Sequence, residues 1–210
     1  MNFIKYNDDM LLNSLEFLLM NNPIRRYFQK NIEFKRMKSL IPEIVGLNIL
    51  EIGCGQGYGT QLINDYFKPQ SLIATDLDPR MISLAKQKYS NNNIVFQVSD
   101  ATNLGFKENY FDLIVFFGVI HHIPNWEDCL KELYRVLKPG GTLLAEEVSI
   151  ESFQTPLTHL LKYFLHHPYS KMYHSEEFIQ YLRTVGFKNL KVQYFKSAGL
   201  LPYFTFVAQK

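Results

Sequence analysis

Three glycines at alternate positions follow a short apolar run, in the segment Leu50-Glu51-Ile52-Gly53-Cys54-Gly55-Gln56-Gly57. Residues 48–52 predict a buried β-strand, and residues 53–59 predict a loop that turns into a helix ending near Phe67. Glycine lets the backbone approach a ligand with no Cβ in between, and the N-terminus of the following helix favours a carboxylate or a phosphate. The pattern therefore predicts a binding site for a nucleotide-like ligand at the carboxyl end of the strand.

The spacing of these glycines excludes two common nucleotide-binding loops. A dinucleotide-binding loop reads G-x-G-x-x-G, but Tyr58 stands where the third glycine would follow Gly53, and Thr60 where it would follow Gly55. A phosphate-binding P-loop ends in Gly-Lys-Ser or Gly-Lys-Thr, and no such triplet follows here. What remains is Glu51-x-Gly53-x-Gly55-x-Gly57, with an acid at the end of the strand.

Apolar runs that predict strands alternate with helical patterns along the rest of the chain. Strands are predicted at residues 71–75, 94–98, 112–117 and 142–146, and helices at residues 79–89, 126–137 and 157–165. A further helix is predicted from a cap at Ser175 to Val185, ending at Gly186, and residues 138–141 predict a turn before the fifth strand. Such alternation predicts an α/β fold, with a parallel sheet covered on both faces and right-handed crossovers. Residues 190–195 and 203–208 have no helix between them and predict an antiparallel hairpin at the sheet edge. We expect a Rossmann-like, doubly wound, seven-stranded sheet with added N-terminal helices.

Two helices are predicted before the first strand. They cover residues 10–20 and a segment from Pro23 to about Leu40, because Asn22-Pro23 interrupts the helical pattern. We therefore divide the chain into an N-terminal helical cap region, residues 1–44, and a main domain, residues 45–210, which form one compact unit.

Composition limits the class of protein. The chain has 210 residues, 47% hydrophobic and 20% charged, which suits one globular domain. A net charge of +2 gives no strongly basic face, so no nucleic-acid partner is expected. The two cysteines, Cys54 and Cys129, have no disulfide or metal-site spacing. Acidic Asp8 and Asp9 are unlike the start of a signal peptide, and no apolar run reaches the ~20 residues that span a bilayer. We predict a cytoplasmic protein with no membrane partner.

The glycine segment resembles the first motif of the class I S-adenosylmethionine-dependent methyltransferases. The resemblance covers roughly residues 45–148, and its later motifs follow in the family's order: Ala74-Thr75-Asp76-Leu77-Asp78, Ser99-Asp100-Ala101, Phe111-Asp112-Leu113-Ile114-Val115 through His121-His122-Ile123, and Leu137-Lys138-Pro139-Gly140-Gly141. The stretch around His121 is most similar to the branch that contains the ubiquinone and menaquinone biosynthesis enzymes. The resemblance implies S-adenosylmethionine as cofactor and S-adenosylhomocysteine as product.

The resemblance also implies a role for each matching residue. Asp76 would hold the ribose hydroxyls, because a carboxylate accepts two hydrogen bonds from a vicinal diol. The other implied cofactor contacts are the loop glycines Gly53, Gly55 and Gly57, the adenine-site residues Leu77, Asp100 and Ala101, and Glu51 and the Gly118 carbonyl near the methionine ammonium group. Plainer readings stay open: the glycines as turn residues, Asp76 as a helix cap in place of Asp78, and Asp100 as a surface turn residue.

Two groups of residues are predicted on the acceptor side. His121 and His122 follow the fourth strand, where a histidine either takes a proton from the acceptor or makes a structural hydrogen bond. Adjacent histidines in a turn rarely chelate one ion, so no metal is expected. The resemblance implies that residues 149–174 form an insertion over the acceptor. The candidate acceptor-binding residues are Tyr163, His167 and Tyr173 in that insertion, together with Arg25. Arg25 and its neighbour Arg26 either form a solvated helix face, or one of them reaches a carboxylate on the cofactor or the acceptor.

Methyl transfer from a sulfonium is an in-line displacement, in which positioning supplies about 7–11 kcal/mol without a covalent nucleophile. The sequence Phe116-Phe117-Gly118-Val119 lacks the Asn/Asp-Pro-Pro-Tyr/Phe motif of enzymes that methylate exocyclic base or glutamine amides. We therefore predict direct transfer to a small organic acceptor. The alternatives are an RNA methyltransferase and a non-catalytic protein that binds S-adenosylmethionine. The acceptor, the methylated atom and the oligomeric state are left open.

Overall fold

The structure, a computed structural model, describes residues 22–89, 91–154, 168–197 and 201–210. The predicted helices at residues 10–20 and near residues 157–165 lie outside these ranges. In chain order the main elements are α1 (Pro23–Phe28), a π-helical turn (Gln29–Glu33), α2 (Phe34–Leu40), β1 (Asn48–Ile52), α3 (Tyr58–Phe67), β2 (Ser71–Asp76), α4 (Pro79–Lys88), β3 (Ile94–Val98), β4 (Phe111–Phe117), α5 (Trp126–Val136), β5 (Leu137–Glu147), α6 (Ser175–Val185), β6 (Lys188–Ser197) and β7 (Leu201–Gln209). Short 3-10 helices lie at Ile120–His122, Ile150–Phe153 and Tyr169–Lys171.

Five parallel strands and an antiparallel C-terminal pair form one seven-stranded sheet, in the order β3-β2-β1-β4-β5-β7-β6. This arrangement confirms the predicted fold class. Strands β2 and β3 lie on one side of β1, whereas β4 and β5 lie on the other, so the direction of winding reverses between β1 and β4. In open α/β sheets, ligands bind outside the carboxyl ends of the strands at such a reversal.

Buried side chains cover both faces of the sheet. One hydrophobic cluster joins α5 and α6 to the sheet through residues such as Trp126 and Phe178. The cluster on the other face includes Phe34 and Met37 of α2, together with side chains of α3, α4 and the central strands. Because α2 is anchored in this second cluster, the preceding helix α1 is held near the carboxyl ends of the strands.

Local sequence signals determine where two of the helices begin. Asn22 caps α1, since its Oδ1 accepts the N–H of Arg25 at 2.9 Å. Asp78 caps α4, since its Oδ1 accepts the N–H of Arg80 at 2.8 Å and Pro79 occupies the first helical position. The cap of α4 is therefore Asp78, and the plainer reading of Asp76 as that cap is excluded.

The fifth strand begins earlier than predicted. Strand β5 starts at Leu137, directly after α5, so the predicted turn at residues 138–141 is an irregularity within the strand. Phe111 pairs with Leu137, whereas Leu113 pairs with Thr142. The N–H of Gly140 donates to the Lys210 carbonyl at 3.0 Å, which connects this irregularity to the C-terminal residue.

Helix α6 also begins differently from the prediction. Its N-cap is His174, and the Glu177 side chain accepts the His174 N–H at 3.3 Å in a capping box. The predicted cap, Ser175, is instead the first residue of the helix. Gly186, with a φ of +118°, ends the helix as predicted.

Candidate cofactor and acceptor site

A crevice opens at the carboxyl end of the sheet, beside the reversal between β1 and β4. Its volume, with the open mouth included, is about 1160 Å³. The predicted residues that line it are Gly53, Gly55, Asp76, Leu77, Asp100, Ala101, Gly118, His122 and Arg25. Four predicted residues lie outside its wall: Glu51, Gly57, His121 and Tyr173. The fold therefore brings most of the predicted site residues into one cavity.

The glycine loop between β1 and α3 needs backbone angles that favour glycine. Gly53 has a φ of +62°, and a Cβ at this position would lie 2.4 Å from Cγ2 of Val119, so a side chain would collide with the segment after β4. Gly55 has a φ of +53°, and a Cβ there would meet no protein atom within 4 Å. Gly55 therefore presents bare backbone to the cavity, as expected for close approach of a ligand.

Asp76, the last residue of β2, is tied to the backbone by both of its oxygens. Oδ2 accepts the N–H of Gly55 at 2.8 Å, and Oδ1 accepts the N–H of Asp78 at 2.9 Å. Burial raises the pKa of Asp76 to about 6, although these backbone hydrogen bonds favour the charged form. A carboxylate has about four lone-pair positions, so the group keeps acceptor capacity for a ligand donor such as a ribose hydroxyl.

Beyond Asp76 the cavity combines a second acid with apolar side chains. Oδ1 of Asp100 accepts both the N–H and the hydroxyl of Thr102, each at 2.8 Å. Among the described residues no hydrogen bond ends on Oδ2 of Asp100. Leu77 and Ala101 supply apolar surface to the same part of the wall. An adenine ring, with flat faces and an amino group at its edge, fits this combination.

Glu51 lies beneath the glycine loop. It is buried, and its Oε2 accepts the hydroxyl of Thr60 at 2.5 Å. Burial raises the pKa of Glu51 to about 8; the Thr60 hydrogen bond opposes this shift and the charge of Asp76 adds to it. The carboxyl group is therefore mainly neutral at pH 7, and it has no direct access to a ligand ammonium group in the cavity.

Gly59, which the sequence analysis missed, makes room for Glu51. A Cβ on Gly59 would lie 2.5 Å from Oε1 of Glu51 and 2.8 Å from Nε2 of Gln29. Gly57, in contrast, packs away from the cavity, because a Cβ there would lie 2.8 Å from Cδ2 of Tyr89. Gly57 is a packing and helix-entry residue in this structure and not part of the cavity wall.

The two histidines occupy different environments. His121 is buried, and its Nδ1 lies 2.5 Å from Oε1 of Glu147. Glu147 also accepts the N–H groups of Val119 at 3.0 Å and Ile120 at 2.7 Å, so it holds the whole turn after β4. His122 lines the cavity, with its ring centroid 4.1 Å from that of His121. Glu147 was missed by the sequence analysis, although an acid at the end of a buried strand was a visible signal.

The proposed acceptor-side residues are only partly brought together. Arg25 lines the cavity, where its Nη1 lies 2.7 Å from each carboxylate oxygen of Glu33. Tyr173 is 1% exposed and packs against Trp126, with ring centroids 5.0 Å apart. Tyr173 is therefore a core residue and does not reach the cavity. Tyr163 and His167 lie outside the described residues.

The α1 side of the cavity also contains polar residues that were not among the predicted site residues. Arg26, Gln29 and Tyr58 line the cavity beside Arg25, and Gln56 lines it from the glycine loop. A helix with charged residues at adjacent positions usually has a solvated face, so the sequence pattern alone did not separate these residues from surface ones.

In the described part of the chain, no helix is long and apolar enough to cross a membrane. The same residues include no group of three or more His, Cys, Asp or Glu side chains arranged to hold a metal ion.

Residues 50–145 match the sequence model of the methyltransferase domain family. That range contains the glycine loop, Asp76, Asp100 and Gly118. Over this range the chain is similar to the methyltransferase domain. The predicted resemblance to this family is thereby confirmed for residues 50–145.

The domain is similar to several known methyltransferases. It is 37% identical over 106 residues to malonyl-[acyl-carrier protein] O-methyltransferase of Priestia megaterium, which covers 50% of this chain and 38% of that protein. It is 30% identical over 132 residues to demethylmenaquinone methyltransferase of Lactococcus lactis, which covers 61% of this chain and 52% of that protein. The chain thus spans about half or less of the length of these relatives.

The fold is also that of a solved methyltransferase structure. The S-adenosylmethionine-dependent methyltransferase of Mesorhizobium loti superposes with a TM-score of 0.73 at 16% sequence identity, covering 87% of this chain and 100% of that one. At this level of identity the similarity shows the fold alone.

Proposed function

We propose that this protein transfers a methyl group from S-adenosylmethionine to a small organic acceptor by direct in-line displacement. The observation that carries the proposal is the crevice at the β1–β4 reversal, where Gly53, Gly55, Asp76, Asp100 and Gly118 converge from the ends of four strands. The family match over residues 50–145 includes all five residues and supports the same assignment.

In this proposal the cofactor's adenosine half is held by acids and apolar surface. The free lone pairs of Asp76 accept the ribose hydroxyls. Oδ2 of Asp100 accepts the adenine amino group, while Leu77 and Ala101 lie against the ring. The backbone carbonyl of Gly118, next to the glycine loop, accepts a hydrogen bond from the methionine ammonium group.

S-adenosylmethionine supplies an electrophilic methyl group on a sulfonium. The protein's own contribution is mainly alignment of the acceptor atom with the methyl carbon and the sulfur, worth about 7–11 kcal/mol. Positive charge is lost from the sulfur during transfer, so a water-poor cavity does not oppose the reaction. No covalent nucleophile is needed.

The acceptor is proposed to lie beside Val119, His122 and Ile123, which line the cavity next to Gly118. His122 takes the proton from a hydroxyl acceptor while the acceptor oxygen forms its bond to the methyl carbon. His121 acts as a positioning residue, since Glu147 holds both its ring and the backbone of the same turn. Arg25 provides a cation toward an acidic acceptor.

The related enzymes do not select one acceptor for this chain. The two curated relatives are named for a malonyl-[acyl-carrier protein] and for demethylmenaquinone, which are chemically different acceptors. Both names nevertheless favour a non-nucleic-acid acceptor, in agreement with the even charge balance of this chain.

Calorimetric titration with S-adenosylhomocysteine, followed by transfer of labelled methyl groups, tests the proposal. The acceptor panel should contain free carboxylic acids, acyl thioesters, hydroquinones, small amines and bulk transfer RNA. We expect binding of the cofactor product and transfer to one small-molecule class. Transfer to RNA alone, or binding without transfer to any class, would support one of the two alternatives instead. Absence of binding would overturn the proposal as a whole.

Substitution of each histidine separates a proton-transfer role from a structural one. The His122→Ala variant is expected to lower kcat about 100-fold or more with a hydroxyl acceptor, because general-base catalysis contributes about 10²–10⁴. Its affinity for S-adenosylhomocysteine should not change. The His121→Ala variant leaves the buried Glu147 without its imidazole partner, so a lower Tm is expected as well. Equal effects of the two changes on kcat and Tm would contradict these separate roles.

A further inference from the structure

Helix α1 has an inverted distribution of polar and apolar side chains. Ile24 and Tyr27 are 69% and 64% exposed, whereas Arg25, Arg26 and Gln29 line the cavity. Turning guanidinium groups towards the protein costs desolvation energy unless a partner compensates for it. The two arginines are therefore the part of α1 that calls for a physical explanation.

Arg25 and Arg26 differ in how they are compensated. Arg25 has a bidentate ion pair with Glu33. Arg26 donates from Nη2 to Oε1 of Gln56 at 3.2 Å, and its guanidinium carbon lies 5.8 Å from the ring centroid of Tyr58. Nε of Arg26 is buried and has no hydrogen-bond partner. Among the residues that the structure describes, the partners of Arg26 are thus neutral, and no carboxylate balances its charge.

A second cation reaches the same neutral acceptor. Nζ of Lys88 also donates to Oε1 of Gln56. Burial and the nearby charge of Arg26 both lower the pKa of Lys88, in that order of size. Gln56 itself is 6% exposed and lines the cavity. Two cations therefore converge on one amide oxygen at the cavity wall, an arrangement that an anionic ligand group would relieve.

The charged groups of the cavity complement the polar groups of the cofactor, end for end. Asp76 and Asp100 lie at the end formed by β2 and β3, where hydrogen-bond donors of a ligand are accepted. Arg26 lies at the α1 side, against the glycine loop, where a ligand anion is favoured. S-adenosylmethionine carries a ribose diol and an adenine amino group at one end and an α-carboxylate at the other.

We propose that Arg26, oriented by Gln56, binds the α-carboxylate of the cofactor and so makes α1 part of the cofactor site. The inference rests on the proposed function, since it takes S-adenosylmethionine as the ligand. An arginine–carboxylate contact is a charge-assisted hydrogen bond with directional geometry. It satisfies the unpaired Nε of Arg26 and offsets the repulsion between Arg26 and Lys88. Arg26 is then a residue that selects for the amino-acid half of the cofactor.

Two ligands that differ only in the carboxylate test the assignment. S-adenosylhomocysteine has the α-carboxylate, whereas its decarboxylated analogue S-adenosyl-3-thiopropylamine retains the adenosine, the thioether and the amine. Calorimetric titration of both ligands into wild-type protein and the Arg26→Gln variant gives a double-mutant cycle. The variant should bind S-adenosylhomocysteine about 10- to 100-fold more weakly and the decarboxylated ligand with unchanged affinity. Arg26→Lys should recover part of the lost affinity, because it keeps the charge without the bidentate geometry.

Controls separate this contact from general effects of charge and folding. Lys30→Gln removes an exposed cation from the adjacent π-helical turn, and it should leave both affinities unchanged. The Tm of each variant reports whether the fold is retained. An equal loss for the two ligands in the folded Arg26→Gln protein, or no loss for either, would overturn the carboxylate assignment. Failure of the wild-type protein to bind S-adenosylhomocysteine would instead overturn the proposed function on which it rests.

Discussion

The two ends of the crevice differ in the side chains that form them and in how those side chains are held. At the adenosine end, short acidic side chains at strand ends are fixed by nearby backbone N–H groups, as in the contacts of Asp76 with Gly55 and Asp78. At the acceptor end, the long side chain of Arg25 extends from α1, and His122 projects from the turn after β4. The first end depends on the sheet alone. The second depends on how two separate segments, α1 and the turn after β4, pack over the sheet.

Loss of Asp76 is the change expected to have the largest effect at the adenosine end. Asp76→Ala removes the acceptor of two proposed ribose hydrogen bonds and leaves the N–H of Gly55 without its partner. Hydrogen bonds to a charged group are worth about 1.5–3 kcal/mol each, so affinity for S-adenosylhomocysteine should fall about 100-fold or more. Calorimetric titration measures the change. Unchanged affinity would show that Asp76 does not hold the ribose and that the adenosine end is not fixed as described.

The matching change at the acceptor end gives the control for that comparison. Arg25→Gln should leave the affinity for S-adenosylhomocysteine close to that of wild type, because Arg25 is paired with Glu33 and is proposed to serve the acceptor. Its effect should appear in the KM of an acidic acceptor. A loss of cofactor affinity as large as that of Asp76→Ala would abolish the distinction between the two ends.

A pair of glycine substitutions tests whether the loop is shaped for the ligand or only for the fold. Gly55 and Gly46 both have positive φ, +53° and +74°, and a Cβ at either position meets no protein atom within 4 Å. Alanine at either position should therefore lower the free energy of unfolding by about 1–2 kcal/mol, because a Cβ disfavours the left-handed backbone conformation. Only Gly55 lines the cavity, so only Gly55→Ala should also lose affinity for S-adenosylhomocysteine, by about tenfold, or 1.4 kcal/mol. Equal affinities of the two variants would mean that the loop does not touch the cofactor.

The difference between the two ends also explains what sequence reasoning could predict. The strands from β1 to β4 and the residues Gly53, Gly55 and Asp76 are readable because each signal lies within a few residues of its own strand end. The parallel direction of these strands and their right-handed crossovers follow from the same alternation, whereas the order of the strands was not predicted. Residues 138–141 were predicted as a turn from their local sequence, but their place inside β5 involves pairing with distant residues such as Phe111 and Lys210.

The acceptor end resisted prediction for the same physical reason. Tyr173 was placed there because the resemblance implies an insertion over the acceptor, but packing against Trp126 and Phe178 buries its ring in the core. The two adjacent histidines were not distinguished, because Glu147, which holds His121, lies 26 residues later in the chain. Glu51 was expected near the ligand ammonium, yet it is screened by the loop and bonded to Thr60. For Tyr173 and His121 the deciding contact is with a residue far away in the sequence, whereas for Glu51 it is with Thr60, just after the glycine loop.

The pH dependence of cofactor binding is the smallest expected effect and probes the adenosine end alone. Asp76 has a pKa of about 6, raised by burial above its ordinary value of 3.8. The proposed ribose hydrogen bonds favour the ionised carboxylate, so S-adenosylhomocysteine should bind about fourfold more weakly at pH 5.5 than at pH 7.5.

The contribution of Asp76 to folding stability has the opposite sign. The folded protein holds this proton more tightly than the unfolded chain, so the contribution is complete below pH 3.8 and is lost as pH rises through 6. Calorimetry and thermal unfolding should therefore show affinity rising and this part of the stability falling across the same interval. Both trends should disappear in Asp76→Asn, and an affinity that falls from pH 5.5 to 7.5 in wild type would contradict the ionised-carboxylate contact.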